Sequence, residues 1–238
     1  MSVDDRSNYA PCKNMEYECL KMGADQQELM RVDSYIQGAD ALRKEAIAGN
    51  NFAVADSFYP GVRMAISDAY ILALVRNFQG VIRDFFKLDL RTIKSAASKY
   101  SIVTSKPEEL KLMQRIPHFD APSRNSLAVI HYLCDAPDSG TAFYHHGETG
   151  YDYIDRSRLG KYEQSIVKRF QDPLRQPSGY VCGDTQDYSE IASFGAVHNR
   201  LLMYRGSSLH SGMIRPDYNF DPSPETGRLT ITSFIEFS

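Results

Sequence analysis

Residues 126–135 read SLAVIHYLCD, a nearly continuous apolar run that predicts a central strand in a sheet covered on both faces. Further strand signals surround it. KYSIVTS (99–105) is β-branched, and residues 191–197, 201–204 and 229–237 form short apolar segments with Gly, Asn, Pro and Asp between them. Asp138-Ser139-Gly140 supplies turn chemistry before TAFYHH. The earlier part of the chain has a helical period instead. MEYECLKMGADQQELM (15–30) has weak helical character, and GADALRKEAIA (38–48) carries good helix formers suited to covering a sheet. After the turn-like Tyr59-Pro60-Gly61, Ile71, Leu74, Val75, Phe78, Ile82, Phe85 and Phe86 recur at three- and four-residue spacing, the mark of a helix packing one face on a core. LGKYEQSIVKRF (159–170) reads as a helical insertion among the strands. Helices first and irregularly spaced strands later predict an α+β domain with a β-sandwich or barrel core.

Composition excludes several classes. The chain of 238 residues fits one domain, with 42% hydrophobic and 24% charged residues as in an ordinary globular enzyme. A net charge of −3, with both signs interleaved, lacks the basic footprint of duplex binding, so no nucleic-acid partner is expected. MSVDDRSNYAPCK has no charged-then-apolar leader and no apolar run reaches a membrane span, so no membrane partner and a cytoplasmic location are expected. Cys12, Cys19, Cys134 and Cys182 form no C-x-x-C and are expected as reduced thiols, with Cys134 a small hydrophobe on a strand.

Four residues carry the chemistry: His118, Asp120, His210 and Arg228. H-x-D is weak evidence alone, but on an extended chain residues i and i+2 face the same way, so His118 and Asp120 can grip one ion while Phe119 points into packing. His210 lies about ninety residues downstream, at the end of a strand signal and before Ser211-Gly212. Two histidines and a carboxylate are the facial set that holds non-haem Fe(II) with positions left open. A 2-oxo acid chelating the ion then needs a cation for its far carboxylate. Arg228 fits, since a guanidinium matches a carboxylate in a bidentate fork, and Thr230 shares its strand face. Arg215 is a rival placed in the loop RPDYNFDPSPETG. Among the remaining histidines, His131 reads as a satisfied core residue. His145 and His146 face opposite ways on a strand, so at most one lines a pocket and the others are surface residues. His198 reads as solvated in a turn that Asn199 and Arg200 cap.

The order HFD, LAVIHYLCD, SGTAF, then HNRLLMYRGSSLHSG and GRLTITSF resembles the Fe(II)/2-oxoglutarate-dependent dioxygenases over residues 111–238. The prolyl-4-hydroxylase-like branch is the most similar, and FYPGVR in the first 110 residues resembles a bacterial group of the same superfamily. The resemblance implies a double-stranded β-helix (jelly-roll) core backed by N-terminal helices. It implies a single domain over 1–238, with 1–110 a mainly helical support region and 111–238 the catalytic core. It further implies Fe(II) on His118, Asp120 and His210, the cosubstrate 2-oxoglutarate with O2, and succinate and CO2 as coproducts. Tyr132 matches the family's strand tyrosine and is expected to border the cosubstrate site beside Arg228 and Thr230. Two departures stand out. The prolyl hydroxylases commonly use a lysine nearer the distal histidine, where this chain offers Arg228. The turn has Ser139-Gly140-Thr141 rather than a double glycine, and Cys134 replaces an asparagine. Asp120 argues against the halogenase variant, which lacks that carboxylate.

The expected function is hydroxylation, desaturation or ring closure at an unactivated C–H bond of a small molecule, such as an amino acid or natural-product intermediate. Two alternatives use the same fold: a cupin-like isomerase or hydrolase that does not take 2-oxoglutarate, and a non-catalytic sensor. The sequence leaves open the substrate, whether the chain is a homodimer, and whether residues 144–183 form a lid.

Overall fold

The computed structural model describes residues 9–49, 51–55, 58–172 and 176–238. Among the described residues, eleven strands build two antiparallel sheets. They are β1 (Glu16–Met22), β2 (Gln27–Asp33), β3 (Ala53–Val54), β4 (Gly61–Ala65), β5 (Ile93–Val103), β6 (Ser126–Tyr132), β7 (Ala136–His146), β8 (Tyr188–Ala196), β9 (Leu201–Arg205), β10 (His210–Gly212) and β11 (Leu229–Phe237). The larger sheet runs β1-β2-β9-β6-β11-β5-β4-β3, and the smaller runs β10-β7-β8.

The apolar run that becomes β6 is central, hydrogen-bonded to β9 on one side and β11 on the other. Its alternation divides two cores. Leu127, Val129 and His131 face the helices Ala39–Gly49 and Asp68–Asn77, in a cluster with Leu42, Tyr70, Leu74 and Ile231. Ala128 and Tyr132 face the smaller sheet, in a cluster with Phe143, Leu202 and Tyr204. Each fully buried Leu, Ile or Phe here stabilises the fold by about 1.5–3 kcal/mol relative to exposure, and β6 contributes buried side chains on both of its faces. A third cluster sits between the smaller sheet and the helix Arg156–Phe170, where Tyr162 and Ile166 meet Tyr144, Tyr188 and Leu209.

Several expectations need correction. Residues 15–30 form the β1–β2 hairpin rather than a helix, because a turn at Gly23 (φ 64°) and Gln26 (φ 52°) folds Leu20 and Met22 against the sheet with Leu29. Gly23 has no room for a side chain: a Cβ would meet the Asp152 carboxylate at 2.3 Å. The first 110 residues are not mainly helical support, since they supply five of the eight strands of the larger sheet. The long amphipathic segment is two helices, Asp68–Asn77 and Gln79–Asp84, broken at Phe78, whose ring is buried against Tyr35. Asp138–Gly140 is no turn: β7 runs through it with a register shift against β8, and the reversal comes at 133–135, which removes Cys134 from a strand. The helices over 39–49 and 156–170 and strands β5, β6, β8, β9 and β11 appear within a few residues of the expected positions.

Candidate active site

His118 and Asp120 lie on the segment before β6, outside any ladder of the two sheets. They are seated by main-chain bonds. His118 and His210 exchange N–H to carbonyl bonds, each 2.8 Å, and the Asp120 N–H donates to Gly206 at 2.7 Å. β10 pairs in turn with β7, placing His210 opposite Phe143. Phe119 points away from the donor groups and packs edge-on against Tyr162. The structure thus brings together residues some ninety positions apart: one ligand atom from each of His118, Asp120 and His210 lies within 4.8 Å of the others. The Asp120 carboxylate is 4.0 Å from His118 Nε2 and 3.5 Å from His210 Nε2.

Electrostatics prepare both imidazoles as neutral ligands. Burial pulls His118 down to about 4, helped by the neighbouring His210, and burial does the same for His210. His210 Nδ1 is 2.9 Å from the Ser208 carbonyl, so Nδ1 carries the proton and donates, and Nε2 keeps its lone pair. Burial raises Asp120 to about 6, against the pull of His118 and Arg63. The side chain of His118 is 49% exposed, but into a cavity deep between the sheets, which reconciles its accessibility with its desolvation. Two neutral imidazole nitrogens and one carboxylate are a donor set that fits a divalent transition metal, and the cavity leaves its far side open.

That cavity, about 610 Å³, is lined by β4, β5, β6, β9 and β11 on one side and by Thr141 and β10 on the other. Arg228 reaches it at the mouth of β11. The Arg228 Nη2 donates to the Gly140 carbonyl at 2.7 Å and its Nε to Ser139 at 3.4 Å, while Nη1 has no protein partner among the described residues. Thr230 lines the cavity with its hydroxyl donating to Ser101 at 3.3 Å. Tyr132 is not a lining residue. Its ring lies 5.5 Å from the Arg228 guanidinium carbon, and its hydroxyl is 2.6 Å from that of Thr141, so it supports the arginine from behind. Arg215 is exposed and paired with Asp217, away from the cavity.

The other histidines serve the fold. His131 is fully buried between the Tyr70 hydroxyl and Asn199, and burial lowers it to about 4 against the opposing hydrogen bond of Asn199. Neither His145 nor His146 lines the cavity, and neither is a free surface residue: His145 pairs with buried Asp152 at 2.6 Å, and His146 is buried against Thr149. His198 Nε2 is buried 3.3 Å from the Asp40 carboxylate rather than standing solvated, Asn199 reaches back to Ile36, and Arg200 pairs with Asp33. The four cysteines are free thiols. Among the described residues, no helix is long and apolar enough to cross a membrane.

Two cavity residues escaped the sequence reading, Tyr59 and Arg63. The Arg63 guanidinium stacks 4.3 Å over the Tyr59 ring at the edge of the cavity. The signal was the alternation in GVRMA, where Val62 and Met64 pack on the helix side and Arg63 must face the other way.

The model of a family described as "Family of unknown function (DUF6445)" matches residues 13–235. No curated protein matches the chain. Among solved structures, the chain is similar to the non-heme alpha ketoglutarate dependent carbocyclase SnoK from nogalamycin biosynthesis, at 10% identity and a TM-score of 0.50, covering 90% of this chain and 81% of that one. It also matches the non-heme alpha ketoglutarate dependent epimerase SnoN from the same biosynthesis, at 12% identity and a TM-score of 0.48, covering 99% and 83%. An N-substituted L-amino acid dioxygenase from Burkholderia ambifaria AMMD matches at 10% identity and a TM-score of 0.40, covering 92% and 94%. At such identities the likeness to SnoK speaks to the fold alone.

Proposed function

We propose a function on the premise that the chain belongs to the DUF6445 family: it is an Fe(II)- and 2-oxoglutarate-dependent oxygenase of a small molecule. One observation carries this reading. The cavity that holds the donor set of His118, Asp120 and His210 also holds Arg228, a buried guanidinium with Nη1 left for a ligand. A 2-oxo acid chelating the metal needs a cation of this kind for its far carboxylate. The fold shared with SnoK supports the reading, as does the order H-x-D, central strand, distal histidine and strand arginine. On the same grounds we read the two sheets as a double-stranded β-helix, and the order of its motifs as similar to that of the prolyl-4-hydroxylase-like branch.

His118, Asp120 and His210 would hold the iron, and iron with 2-oxoglutarate and O2 supplies an oxidant for an unactivated C–H bond. The chain does the rest. The two histidines enter neutral, so metal need not displace protons from them near pH 7, and Asp120 brings the negative charge. The carbonyls of Ser139 and Gly140 fix the Arg228 plane, and its free edge takes the distal carboxylate of 2-oxoglutarate, to which the Thr230 hydroxyl turns its proton from the long 3.3 Å bond to Ser101. Val103, Ile214 and Phe234 give the substrate apolar walls that exclude water and orient the bond to be broken. Whether the outcome is hydroxylation, desaturation or ring closure depends on how the substrate is seated.

Anaerobic addition of Fe(II) and then 2-oxoglutarate tests this directly. A weak visible metal-to-ligand charge-transfer band is expected in the wild type and is expected to be lost in Arg228→Ala. Metal binding with no band would favour a cupin-like enzyme without the cosubstrate, and a band unchanged in Arg228→Ala would remove Arg228 from the site.

A further inference from the structure

The face of the larger sheet that looks into the cavity carries a second arginine. Arg63 on β4 pairs with Ser101 on β5, Ser101 with Thr230 on β11, and Thr230 with Tyr132 on β6. These four residues form one cross-strand row, so their side chains leave the sheet on the same side. Adjacent strands lie about 4.8 Å apart, which separates Arg63 from Thr230 by roughly 10 Å at the main chain. Arg228 comes two residues before Thr230, roughly 7 Å along the strand, so the two arginines are rooted at separate places on the cavity wall.

Arg63 is supplied with little to do there by the protein itself. Its Nε is buried without a hydrogen-bond acceptor, and among the described residues no carboxylate lies within ion-pair distance of it. Asp120 is near enough to feel its charge, yet not near enough to pair with it, and that carboxylate belongs to the metal donor set. One face of the guanidinium is covered by the Tyr59 ring, which fixes its plane and leaves its edge toward the cavity. A partly buried cation with an unanswered donor is costly unless an anion completes it. The cavity it edges has apolar walls, with Phe58, Val103, Met113 and Phe234 among its lining residues.

We infer that Arg63 anchors a carboxylate of the substrate itself, so that the molecule taken up here is an organic acid with an apolar body. A carboxylate fits because its two oxygens match the planar donor edge of a stacked guanidinium. The inference rests on the oxygenase reading for the chemistry that follows, but not for the binding.

The probe is 3-phenylpropionate, with 3-phenylpropionamide as its uncharged counterpart. Calorimetry measures both on anaerobic protein loaded with Fe(II) and 2-oxoglutarate, and on metal-free protein. The wild type is expected to bind the acid about ten- to a hundredfold tighter than the amide. Arg63→Gln is expected to bind the two alike while its 2-oxoglutarate affinity, read from the charge-transfer band, stays within about twofold. Arg63→Lys is expected to keep part of the preference, since it retains the charge without the fork. Equal affinity for acid and amide in the wild type overturns the inference, as does binding of neither, or a preference that survives in Arg63→Gln. A loss of 2-oxoglutarate affinity in Arg63→Gln also overturns it, making Arg63 the cosubstrate's anchor. If no band forms in the wild type but metal-free protein keeps an Arg63-dependent preference for the acid, the oxygenase reading falls and the acid site stands. If the band forms and the preference is absent, the reverse holds.

Discussion

His118 and His210 are tied to each other through their main chains, by reciprocal bonds of 2.8 Å, and their rings lie 4.3 Å apart, centroid to centroid. Removing either imidazole therefore leaves the bridge that seats the other. For His118→Ala, half-exposed in the cavity, the metal-free melting temperature is expected within about 3 °C of the wild type. The rise in melting temperature produced by Fe(II) is expected to vanish, because the gain comes from binding only the folded site. Metal content equal to the wild type in this variant would exclude His118 as a ligand.

Arg228→Lys keeps the charge but loses the planar fork and the two bonds to Ser139 and Gly140. The dissociation constant for 2-oxoglutarate is expected to rise about tenfold or more, and Thr230→Val to raise it by less. Titration of the charge-transfer band ranks the two variants, and a larger effect at Thr230 would contradict their assigned shares.

Gly140 sits where β7 approaches β8 so closely that a Cβ would meet the Phe194 carbonyl oxygen at 1.8 Å. Backbone must shift to admit a methyl group, so Gly140→Ala is expected to destabilise the protein by about 1–3 kcal/mol. The same shift moves the carbonyl that receives Arg228 Nη2. Urea unfolding together with 2-oxoglutarate titration checks both effects, and a variant as stable as the wild type would refute the close approach.

His131 links acidity to stability. Its imidazole is buried and lowered to about 4, against an ordinary 6.5 in the unfolded chain. Between those values the unfolded state takes up a proton that the folded state refuses, so stability falls as pH drops from about 6.5 to about 4, by on the order of 3 kcal/mol. In metal-free protein His118 and His210 act in the same direction, and Asp120, raised to about 6, opposes them. Denaturant midpoints from pH 7.5 to 4.5 are expected to decline, and His131→Gln to flatten the decline.

Arg205 closes β9 just before Gly206, whose carbonyl receives the Asp120 N–H. Its buried guanidinium donates to the main-chain carbonyls of Phe86 and Arg124 and to Glu28. Arg205→Met is expected to cost about 3–5 kcal/mol, since it leaves Glu28 and two carbonyls underpaired. Metal affinity is expected to weaken as well. Thermal unfolding of the metal-free variant isolates the first effect from the second.

The readable part of this molecule was its local chemistry. HFD, the distal His210 and Arg228 stood out because two histidines, a carboxylate and an arginine are the groups a metal and an acid cosubstrate require, and β6 announced itself by an apolar run with both faces to cover. What escaped was pairing between distant segments. Nothing local in MEYECLKMGADQQELM says that β2 will find β9, and nothing in FYPGVRMA says that β4 will extend the sheet beside β5. Arg63 was lost with that pairing. A residue on a strand taken for part of a helical support region has no face to be assigned to.

The strand order has a bearing on how this chain can be cut. β9 and β11 each have one flank covered by β6, and their other flanks are covered by β2 and β5 from the first 110 residues. A fragment beginning at residue 111 would retain all three metal-binding side chains and Arg228, yet present two long unsatisfied edges to solvent. Such edges invite intermolecular pairing and aggregation. The half of the chain that carries the donor set is therefore not a portable module.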